Sequence, residues 1–275
     1  MSFVPSASTR LFALLGDPVS HSLSPAFQNA ALRAAGLDGV YVVLRCAPSD
    51  VAGLIRGIAR AGGGGNVTVP HKEAAAAAVD RRTATVERTG ACNTFWLEDG
   101  EVWGDNTDVA GARAAIRAVA ADEALESVLV VGAGGAARAV LCALEGSARQ
   151  VTLLNRRLDR ALELAARFTS ESLQIEVLPL DADLSDRTFD LAINSTSLGL
   201  RPADPLPPTG GAQFAAALDI VYSPSGTPWV HHLRAHGIPA ADGKEMLLQQ
   251  GAAAFRRWWR DEPPIDAMRA ALGAG

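Results

Sequence analysis

Short apolar runs alternate with alanine-rich segments of helical periodicity through the first hundred residues. The apolar runs are typical of buried strands, and the segments between them place apolar residues on one helical face. Ser24 followed by Pro25 predicts a helix start, with Ser24 as N-cap and Pro25 at the first helical position. The alternation indicates an α/β domain with a largely parallel sheet. The predicted strands are 11–15, 40–44, 66–70, 92–97 and 102–104, and the predicted helices are 24–36, 51–61 and 72–79.

A second alternating series follows a connecting helix predicted over 108–120. We therefore predict two α/β domains, the first over 1–107 and the second, a doubly wound sheet, over 108–244. Residues 245–275 are expected to pack back on the first domain. The predicted strands of the second series are 128–131, 151–154, 175–178, 189–193 and 217–221, and the later helices are 135–144, 157–168, 229–235, 246–259 and 265–272.

A glycine-rich turn joins the strand at 128–131 to the helix at 135–144, with the spacing G-x-G-x-x-A. Gly132 permits the tight turn, Gly134 lets the backbone approach a pyrophosphate, and Ala137 permits close packing of helix on sheet. The free N–H groups of the helix start would face the phosphates. The strand–turn–helix context predicts a dinucleotide site rather than an ordinary turn.

The end of the next predicted strand indicates which dinucleotide binds. An NAD site has a carboxylate there to hold the ribose 2′-hydroxyl. Here Asn155 is followed by arginines at 156, 157 and 160, and arginine suits a 2′-phosphate because it forms charge-assisted, bidentate hydrogen bonds. NADP is therefore the predicted cofactor, with Arg156 and Arg160 on the phosphate. Arg157 is equally consistent with a solvated helix face, and Asp159 keeps NAD open as an alternative.

Composition narrows the classes of partner. The chain has 275 residues, a formal net charge of -5 and a pI near 5.6, which give no general attraction to nucleic acid or to an anionic membrane. No apolar run approaches the roughly 20 residues of a membrane helix, and the first residues lack the apolar core of a signal peptide. Cys46, Cys92 and Cys142 form no metal or disulfide pattern. We expect a cytoplasmic monomer or homodimer with a small-molecule substrate and no metal.

Several polar residues of the first domain are not explained by helix or strand formation alone. Ser22 and Ser24 lie at a helix start, where hydroxyls and backbone N–H groups can bind a carboxylate. Capping also explains Ser24, but it does not explain Ser22. Lys72 begins a predicted helix, where the helix dipole disfavours a cation. Asn93 and Asp108 are predicted at adjacent strand ends. This combination predicts a substrate site with a proton-transfer group.

The chain strongly resembles the shikimate dehydrogenase family over nearly its whole length, with the family's motifs in the same order. Members of this family reduce 3-dehydroshikimate to shikimate with NADPH in the pathway to aromatic amino acids. The resemblance implies an N-terminal substrate domain, a Rossmann-type cofactor domain and an active site in the cleft between them. The motifs that carry it are SHSLSP, NVTVPHK, GACNT, GDNTD, GAGGAARA and NRR, Asn194-Ser-Thr196, the stretch from Asp219 to Pro224, and the stretch from Met246 to Gln250.

The resemblance also implies a role for individual residues. Lys72 and Asp108 would be the catalytic pair, with Lys72 donating the proton in reduction and Asp108 orienting it. The substrate carboxylate would bind Ser22 and Ser24, and the ring oxygens would bind Thr68, Asn93, Asp108, Tyr222 and Gln250. The cofactor would contact Gly132, Ala133, Gly134, Gly135 and Ala136 at the pyrophosphate, Asn155, Arg156 and Arg160 at the 2′-phosphate, and Thr196, Ile220, Gly243 and Met246 beside the nicotinamide.

Three other functions are compatible with parts of the sequence. A quinate or aminoshikimate dehydrogenase of the same superfamily stays open, although retention of both Ser22 and Ser24 favours shikimate. A non-enzymatic dinucleotide sensor could keep the glycine turn, but it would have no need of Lys72 and Asp108. Another Rossmann oxidoreductase, such as one like alanine dehydrogenase, would leave the first hundred residues unexplained.

Several residues with chemical potential are expected to be structural. His71 neighbours Lys72 and should point elsewhere on the helix, and His21 should pack in its loop. The histidines at 231, 232 and 236 lack the carboxylate or cysteine that would complete a metal site. Asp105 is expected to face away from Asp108. The tryptophans at 258 and 259 should anchor the terminal helix in the core.

Overall fold

The structure, a computed structural model, describes residues 4–120, 124–201 and 203–273. It divides into two compact units, one of Met1–Ala110 with Leu248–Gly275 and the other of Gly111–Leu247. The boundaries predicted from the sequence fall after residues 107 and 244, inside or next to two helices that run across the observed division. In the described residues, no helix is both long and apolar enough to cross a membrane.

The first unit is built on a mixed six-stranded sheet of order β2-β1-β3-β5-β6-β4. Strand β1 pairs in parallel with β2 and β3, whereas β5 is antiparallel to β3 and β6. The strands are β1 (Arg10–Gly16), β2 (Gly39–Arg45), β3 (Gly64–Val67), β4 (Arg81–Arg82), β5 (Thr94–Glu98) and β6 (Glu101–Asp105). The helices are α1 (Ser24–Ala34), α2 (Val51–Arg60), α3 (Lys72–Ala78), α4 (Ala84–Thr89) and the start of α5 (Asp108–Ala120), with a 3₁₀ turn at Pro48–Asp50.

The C-terminal segment completes the core of the first unit. Helix α9 (Lys244–Trp259) ends here and is followed by α10 (Ile265–Gly273). The ring of Phe12 lies 5.0 Å from that of Trp258 and 5.2 Å from that of Trp259. Aromatic contacts of this kind add to the free energy of burial. The prediction that the two tryptophans anchor the terminal helix is therefore confirmed.

The second unit is an all-parallel six-stranded sheet of order β12-β11-β10-β7-β8-β9. The strand order reverses between β7 and β10, which is the doubly wound arrangement with its switch point at the carboxyl ends of these strands. The strands are β7 (Leu125–Val131), β8 (Ala148–Asn155), β9 (Gln174–Pro179), β10 (Thr188–Asn194), β11 (Gln213–Asp219) and β12 (Ala240–Ala241), and the helices are α6 (Gly135–Leu144), α7 (Leu158–Phe168) and α8 (Pro228–Ala235).

Two local predictions were wrong. Strand β3 covers Gly64–Val67 rather than 66–70. Its parallel ladder with β1 ends at the pair Leu15 and Val67, and the last ladder bond runs from the Thr68 N–H to the carbonyl of Leu15. A Cβ at Gly65 would lie 2.2 Å from the carbonyl oxygen of Ala13, so the strand start requires glycine for close backbone approach. Ser24 is the first residue of α1 rather than its N-cap, and its side chain does not cap the helix.

Candidate active site

The loops that follow β1 and β3 lie side by side because these strands are parallel neighbours. The N–H of Asp17 donates to the carbonyl of Val69 over 3.1 Å. A Cβ at Gly16 would lie 2.4 Å from the methyl carbon of Thr68, so a side chain at position 16 would push the two loops apart. These contacts hold Gly16 and Asp17, at the start of the segment that leads to Ser22, against the loop that carries the half-buried Thr68.

The Lys72 ammonium faces the Asp108 carboxylate, with Nζ 2.5 Å from Oδ2. Lys72 is the first residue of α3 and Asp108 the first residue of α5. Their side chains are only 20% and 12% exposed, so the pair is largely shielded from water. The carboxylate supplies the countercharge that a cation at a helix start lacks, and Asp108 itself occupies a position that the helix dipole favours.

Asn93 fixes the other oxygen of Asp108. Its Oδ1 accepts the backbone N–H of Thr107 over 2.7 Å, and a backbone donor can only be matched by the amide oxygen. The amide nitrogen must therefore face Asp108, and Nδ2 donates to Oδ1 over 2.8 Å. Both carboxylate oxygens thus have a fixed partner, which holds the Lys72 side chain in one direction.

The two candidate serines lie at the start of α1 and have hydrogen-bond partners within the first unit. Ser22 Oγ accepts the N–H of Ser24 over 3.2 Å, so it satisfies one N–H group at the start of α1. Ser24 is buried, and its hydroxyl is hydrogen-bonded to that of Tyr41. Burial raises the pKa of Tyr41, and this hydrogen bond opposes the rise.

Tyr41 and Asn66 were missed by the sequence analysis as site residues. The Tyr41 hydroxyl donates to Asn66 Oδ1 over 2.8 Å, and Asn66 Nδ2 donates to Thr94 Oγ1 over 2.8 Å. Thr94 Oγ1 in turn donates to Asn93 Oδ1 over 3.0 Å. A buried chain of hydrogen bonds therefore connects Tyr41 with Asn93. The position of Asn66 within NVTVPHK was a signal, whereas nothing in the sequence marked Tyr41.

Gln250 lies half-buried on α9, next to Gly251. The carbonyl of Gly251 accepts Gln28 Nε2 over 2.9 Å. A Cβ at Gly251 would meet the Phe27 ring at 2.3 Å, so glycine here lets α9 pack closely against α1. This packing sets the position of Gln250 within the first unit.

The glycines of the turn in the second unit are needed for two different reasons, one for the protein's own backbone and one for space beside the turn. Gly132 has φ +104°, and a Cβ there would lie 2.8 Å from the methyl carbon of Thr196, so glycine is needed by the protein itself. A Cβ at Gly134 or Gly135 would meet no protein atom within 4 Å. The space beside these glycines is open, as a pyrophosphate approaching the start of α6 requires. Ala133 and Ala136 lie half-buried in the same turn.

The end of β8 carries the predicted 2′-phosphate site. Asn155 Oδ1 accepts the N–H of Ala133 over 3.2 Å, which ties this end to the glycine turn. Arg157 and Asp159 form an ion pair at 2.7 Å. Asp159, the carboxylate that left NAD as an alternative cofactor, is therefore paired with Arg157. In the described part of the chain, the exposed side chains of Arg156 and Arg160 form no ion pair, and they fit a phosphate group.

Residues predicted beside the nicotinamide lie near the carboxyl ends of β10 and β11. A Cβ at Gly243 would be 2.1 Å from the carbonyl oxygen of Ile220, and the Gly243 N–H donates to Val221 O over 3.0 Å. Met246 is buried, while Thr196 and Tyr222 are half-buried. Burial raises the pKa of Tyr222. Thr196 and Ile220 thus follow two neighbouring strands at one edge of the sheet, and Gly243 packs against Ile220 there.

Other titratable groups near the pair have structural partners. His71 is buried, with Nε2 2.9 Å from the carbonyl oxygen of Cys46, as expected of a structural residue. Asp105 binds Arg257 and the hydroxyls of Thr83 and Thr85, and among the described residues its carboxylate forms no hydrogen bond or ion pair with Lys72 or Asp108.

Two further observations concern the histidines. His21 is exposed, so the expectation that it packs in its loop was wrong. Among the described residues, no group of three or more histidine, cysteine, aspartate or glutamate side chains could hold a metal ion.

A shielded ammonium–carboxylate pair in one unit and a glycine turn at the start of α6 in a doubly wound sheet are typical of the nicotinamide-dependent oxidoreductases. Three family profiles place the chain more narrowly. The shikimate dehydrogenase substrate binding domain matches residues 14–95, shikimate / quinate 5-dehydrogenase matches residues 115–199, and the shikimate 5'-dehydrogenase C-terminal domain matches residues 243–272.

Individual relatives agree. The NADP(+) shikimate dehydrogenase of Moorella thermoacetica is 40% identical over 98% of this chain and 95% of its own length. The Thermus thermophilus enzyme, solved with NADP(H) and shikimate, superimposes with a TM-score of 0.82 at 36% identity, covering 96% of this chain and 98% of that one. A 5-ketofructose reductase of Gluconobacter sp. strain CHM43 gives a TM-score of 0.86 at 26% identity over 98% of this chain and 99% of that one. The chain belongs to the shikimate dehydrogenase family.

Proposed function

We propose that this chain catalyses the reversible, NADP-dependent reduction of 3-dehydroshikimate to shikimate, a step of aromatic amino acid biosynthesis. The observation that carries the proposal is the shielded Lys72–Asp108 pair in a chain of the shikimate dehydrogenase family. The bound NADPH supplies the hydride, so the protein must supply the proton.

Lys72 is the proton donor in reduction and the acceptor in oxidation. As hydride reaches the carbonyl carbon, negative charge develops on the oxygen, and an ammonium within hydrogen-bond reach both stabilises this charge and transfers its proton. Asp108 holds the amine through one oxygen, and Asn93 holds Asp108 through the other. The amine is thereby aimed before the substrate arrives, which lowers the entropic cost of reaching the transition state.

The substrate's other groups are assigned to the polar residues of the same motifs. Ser22 and Ser24 take the carboxylate, since the start of α1 offers hydroxyls and a favourable dipole. The ring oxygens bind Thr68, Asn93, Asp108, Tyr222 and Gln250.

The phosphate groups of the cofactor are assigned to the second unit. The open space beside Gly134 and Gly135 takes the pyrophosphate, with Gly132, Ala133 and Ala136 shaping the turn. Asn155, Arg156 and Arg160 take the 2′-phosphate, and Thr196, Ile220, Gly243 and Met246 take the nicotinamide end. Preference for NADP over NAD follows from the two arginines that have no carboxylate partner in the described chain.

The compartment and assembly state are part of the same proposal. All three cysteines are buried and form no disulfide, which suits a reducing cytoplasm. A monomer or homodimer is proposed, without nucleic acid or membrane as partner.

A spectrophotometric assay tests the function. Purified protein is mixed with NADP or NAD and with shikimate, quinate or 5-ketofructose, in the direction that each substrate requires. We expect the highest kcat/KM with shikimate and NADP. A higher kcat/KM with quinate would support the quinate dehydrogenase alternative, and activity only on 5-ketofructose would reject the proposal.

A further inference from the structure

Asp219 is a fully buried carboxylate at the carboxyl end of β11 that none of the assignments above uses. It lies beside Asn194, its register partner at the end of β10, which is also fully buried. In the described part of the chain, no lysine, arginine or histidine pairs with Asp219. A buried charge without a counter-ion is costly unless several hydrogen bonds stabilise it. Because its burial is costly, we expect this carboxylate to have a specific structural or functional role.

The partners of Asp219 are all hydrogen-bond donors. Oδ1 accepts Asn194 Nδ2 over 2.8 Å and the N–H of Val221 over 3.1 Å, and Oδ2 accepts the hydroxyl of Thr227 over 2.7 Å. Thr227 Oγ1 itself accepts the N–H of Val230, so its own proton is free to point at Asp219. Burial raises the pKa of Asp219, and these donors oppose the rise. The geometry specifies the ionised carboxylate.

Through these bonds, Asp219 fixes two loops at the carboxyl edge of the sheet. Asn194 Oδ1 accepts both the N–H and the hydroxyl of Thr196, over 3.1 and 2.6 Å, and Asn194 Nδ2 also donates to Leu198 O. The orientation of the Asn194 amide is thus set at one end by Asp219 and at the other by Thr196. The Val221 N–H holds the second loop directly.

We propose that Asp219 is a positioning residue for the nicotinamide half of NADP. It acts through the loop that carries Thr196 and the loop that carries Ile220, and it does not touch the cofactor itself. The inference rests on the proposed function, which places these two residues beside the nicotinamide. The adenosine half is assigned to the end of β8, across the switch point, where Asp219 makes no contact. The two halves of the cofactor should therefore respond differently to a change at position 219.

The variant Asp219→Asn tests this separation. It keeps the side chain's shape but places an amide NH₂ among donors, and one hydrogen bond to a charged acceptor corresponds to about 10- to 100-fold. We expect kcat to fall by about this factor, and we expect the deuterium isotope effect with 4-deuterated NADPH to rise because hydride transfer becomes slower. The inhibition constant of 2′,5′-ADP, which carries only the adenosine half, should stay within about twofold of wild type.

Asp190→Asn is the matched control. The Asp190 carboxylate lies on β10, away from the strand's carboxyl end, and accepts the N–H groups of Glu126 and Ser127 over 2.8 and 2.9 Å. The same substitution there should lower Tm and leave both kcat and the isotope effect unchanged. If Asp219→Asn does not fold, Thr227→Val serves instead. It removes the donor to Oδ2 together with the acceptor for the Val230 N–H at the start of α8. It should therefore lower Tm, and it should change kcat and the isotope effect in the same direction as Asp219→Asn but less.

Two results would overturn the inference. One is a folded Asp219→Asn protein with wild-type kcat and isotope effect. The other is a 2′,5′-ADP inhibition constant that rises in parallel with the loss of NADP affinity, which would indicate general loosening of the second unit. If wild-type protein failed to oxidise shikimate with NADP, the proposed function would fail by itself. Binding of NADP and 2′,5′-ADP to the same variants would still decide the role of Asp219.

Discussion

Lys72 and Asp108, each the first residue of its helix, place Nζ and Oδ2 2.5 Å apart in the first unit. A helix N-terminus stabilises a carboxylate and destabilises a cation. The position of Asp108 is therefore favourable, whereas that of Lys72 is unfavourable and is stabilised by the Asp108 carboxylate. An amine kept in an unfavourable place by a single countercharge, and largely shielded from water, is suited to proton transfer rather than to stabilising the fold.

Replacing Lys72 by alanine should remove the proton donor and little else. We expect kcat to fall by about 10²- to 10⁴-fold, the usual contribution of general acid catalysis, while the Kd of shikimate changes little. Steady-state kinetics and equilibrium binding measure the two effects separately. Arg81→Ala, which breaks an exposed ion pair with Glu101 in the same unit, is the control and should leave kcat unchanged. Near-normal turnover of Lys72→Ala would remove the assignment.

Removing the Asn93 side chain should affect stability as well as rate. In Asn93→Ala, the buried N–H of Thr107 loses its acceptor and Asp108 loses the donor to Oδ1. An unsatisfied buried donor costs about 1–3 kcal/mol, so the free energy of unfolding in urea should fall by that amount or more. Because Asp108 would then be held only by Lys72, kcat should fall too. A variant as stable as wild type would contradict the hydrogen-bond assignment.

Cofactor choice should depend on Arg156 and Arg160 and not on Arg157. Replacing both Arg156 and Arg160 by alanine should raise the KM for NADP by about tenfold or more, because charge-assisted hydrogen bonds to the 2′-phosphate are lost, with little change in the KM for NAD. Arg157→Ala, which removes only the partner of Asp159, is the matched control. Equal effects of the single and double variants on NADP would show that Arg157 reaches the phosphate.

Two glycines of one turn should give opposite results when changed to alanine. Gly132→Ala should lower the free energy of unfolding by about 1–3 kcal/mol, because the new Cβ overlaps Thr196 and the backbone φ is +104°. Gly134→Ala should leave Tm unchanged, since its Cβ meets no protein atom within 4 Å, yet it should weaken NADP binding by filling the pyrophosphate space. Thermal unfolding and NADP titration of both variants decide. If Gly134→Ala bound NADP as tightly as wild type, the pyrophosphate would not bind beside Gly134.

Asp105 should make the first unit sensitive to acid. Burial alone would raise the pKa of Asp105, but donors from Thr85 and Thr83 and the charge of Arg257 outweigh burial and lower it. A lowered pKa contributes stability that is fully present above the unfolded value of about 3.9 and is lost as pH falls through the folded value. In urea unfolding below about pH 4, Asp105→Asn should therefore lose stability less steeply than wild type. Identical slopes would contradict this role.

Apolar periodicity predicted most of the elements because most strands bury continuous apolar runs. It failed where backbone contact replaced side-chain burial. The start of β3 is two glycines, which carry no apolar signal. The two exposed arginines of β4 also carry no apolar signal, and they join β6 through backbone pairing and the Arg81–Glu101 ion pair. Helix α4 and strand β12 were missed for a different reason, because both are too short to show a period.

In the candidate site, too, some residues could be predicted from the sequence and others could not. Lys72, Asn93 and Asp108 stood out because capping or burial does not explain these residue types in their motifs. The links of Tyr41 to Asn66 and of Asn194 to Asp219 could not be predicted, because each joins residues 25 positions apart and depends on which strands pair and in which register.

The most direct test of the account is the initial rate of NADP reduction with shikimate, measured for wild type and for Lys72→Ala at the same protein concentration. The account predicts robust, NADP-dependent oxidation of shikimate by wild type and a rate lower by about 10²-fold or more for the variant. A wild-type protein inactive on shikimate, or a variant as fast as wild type, would contradict it.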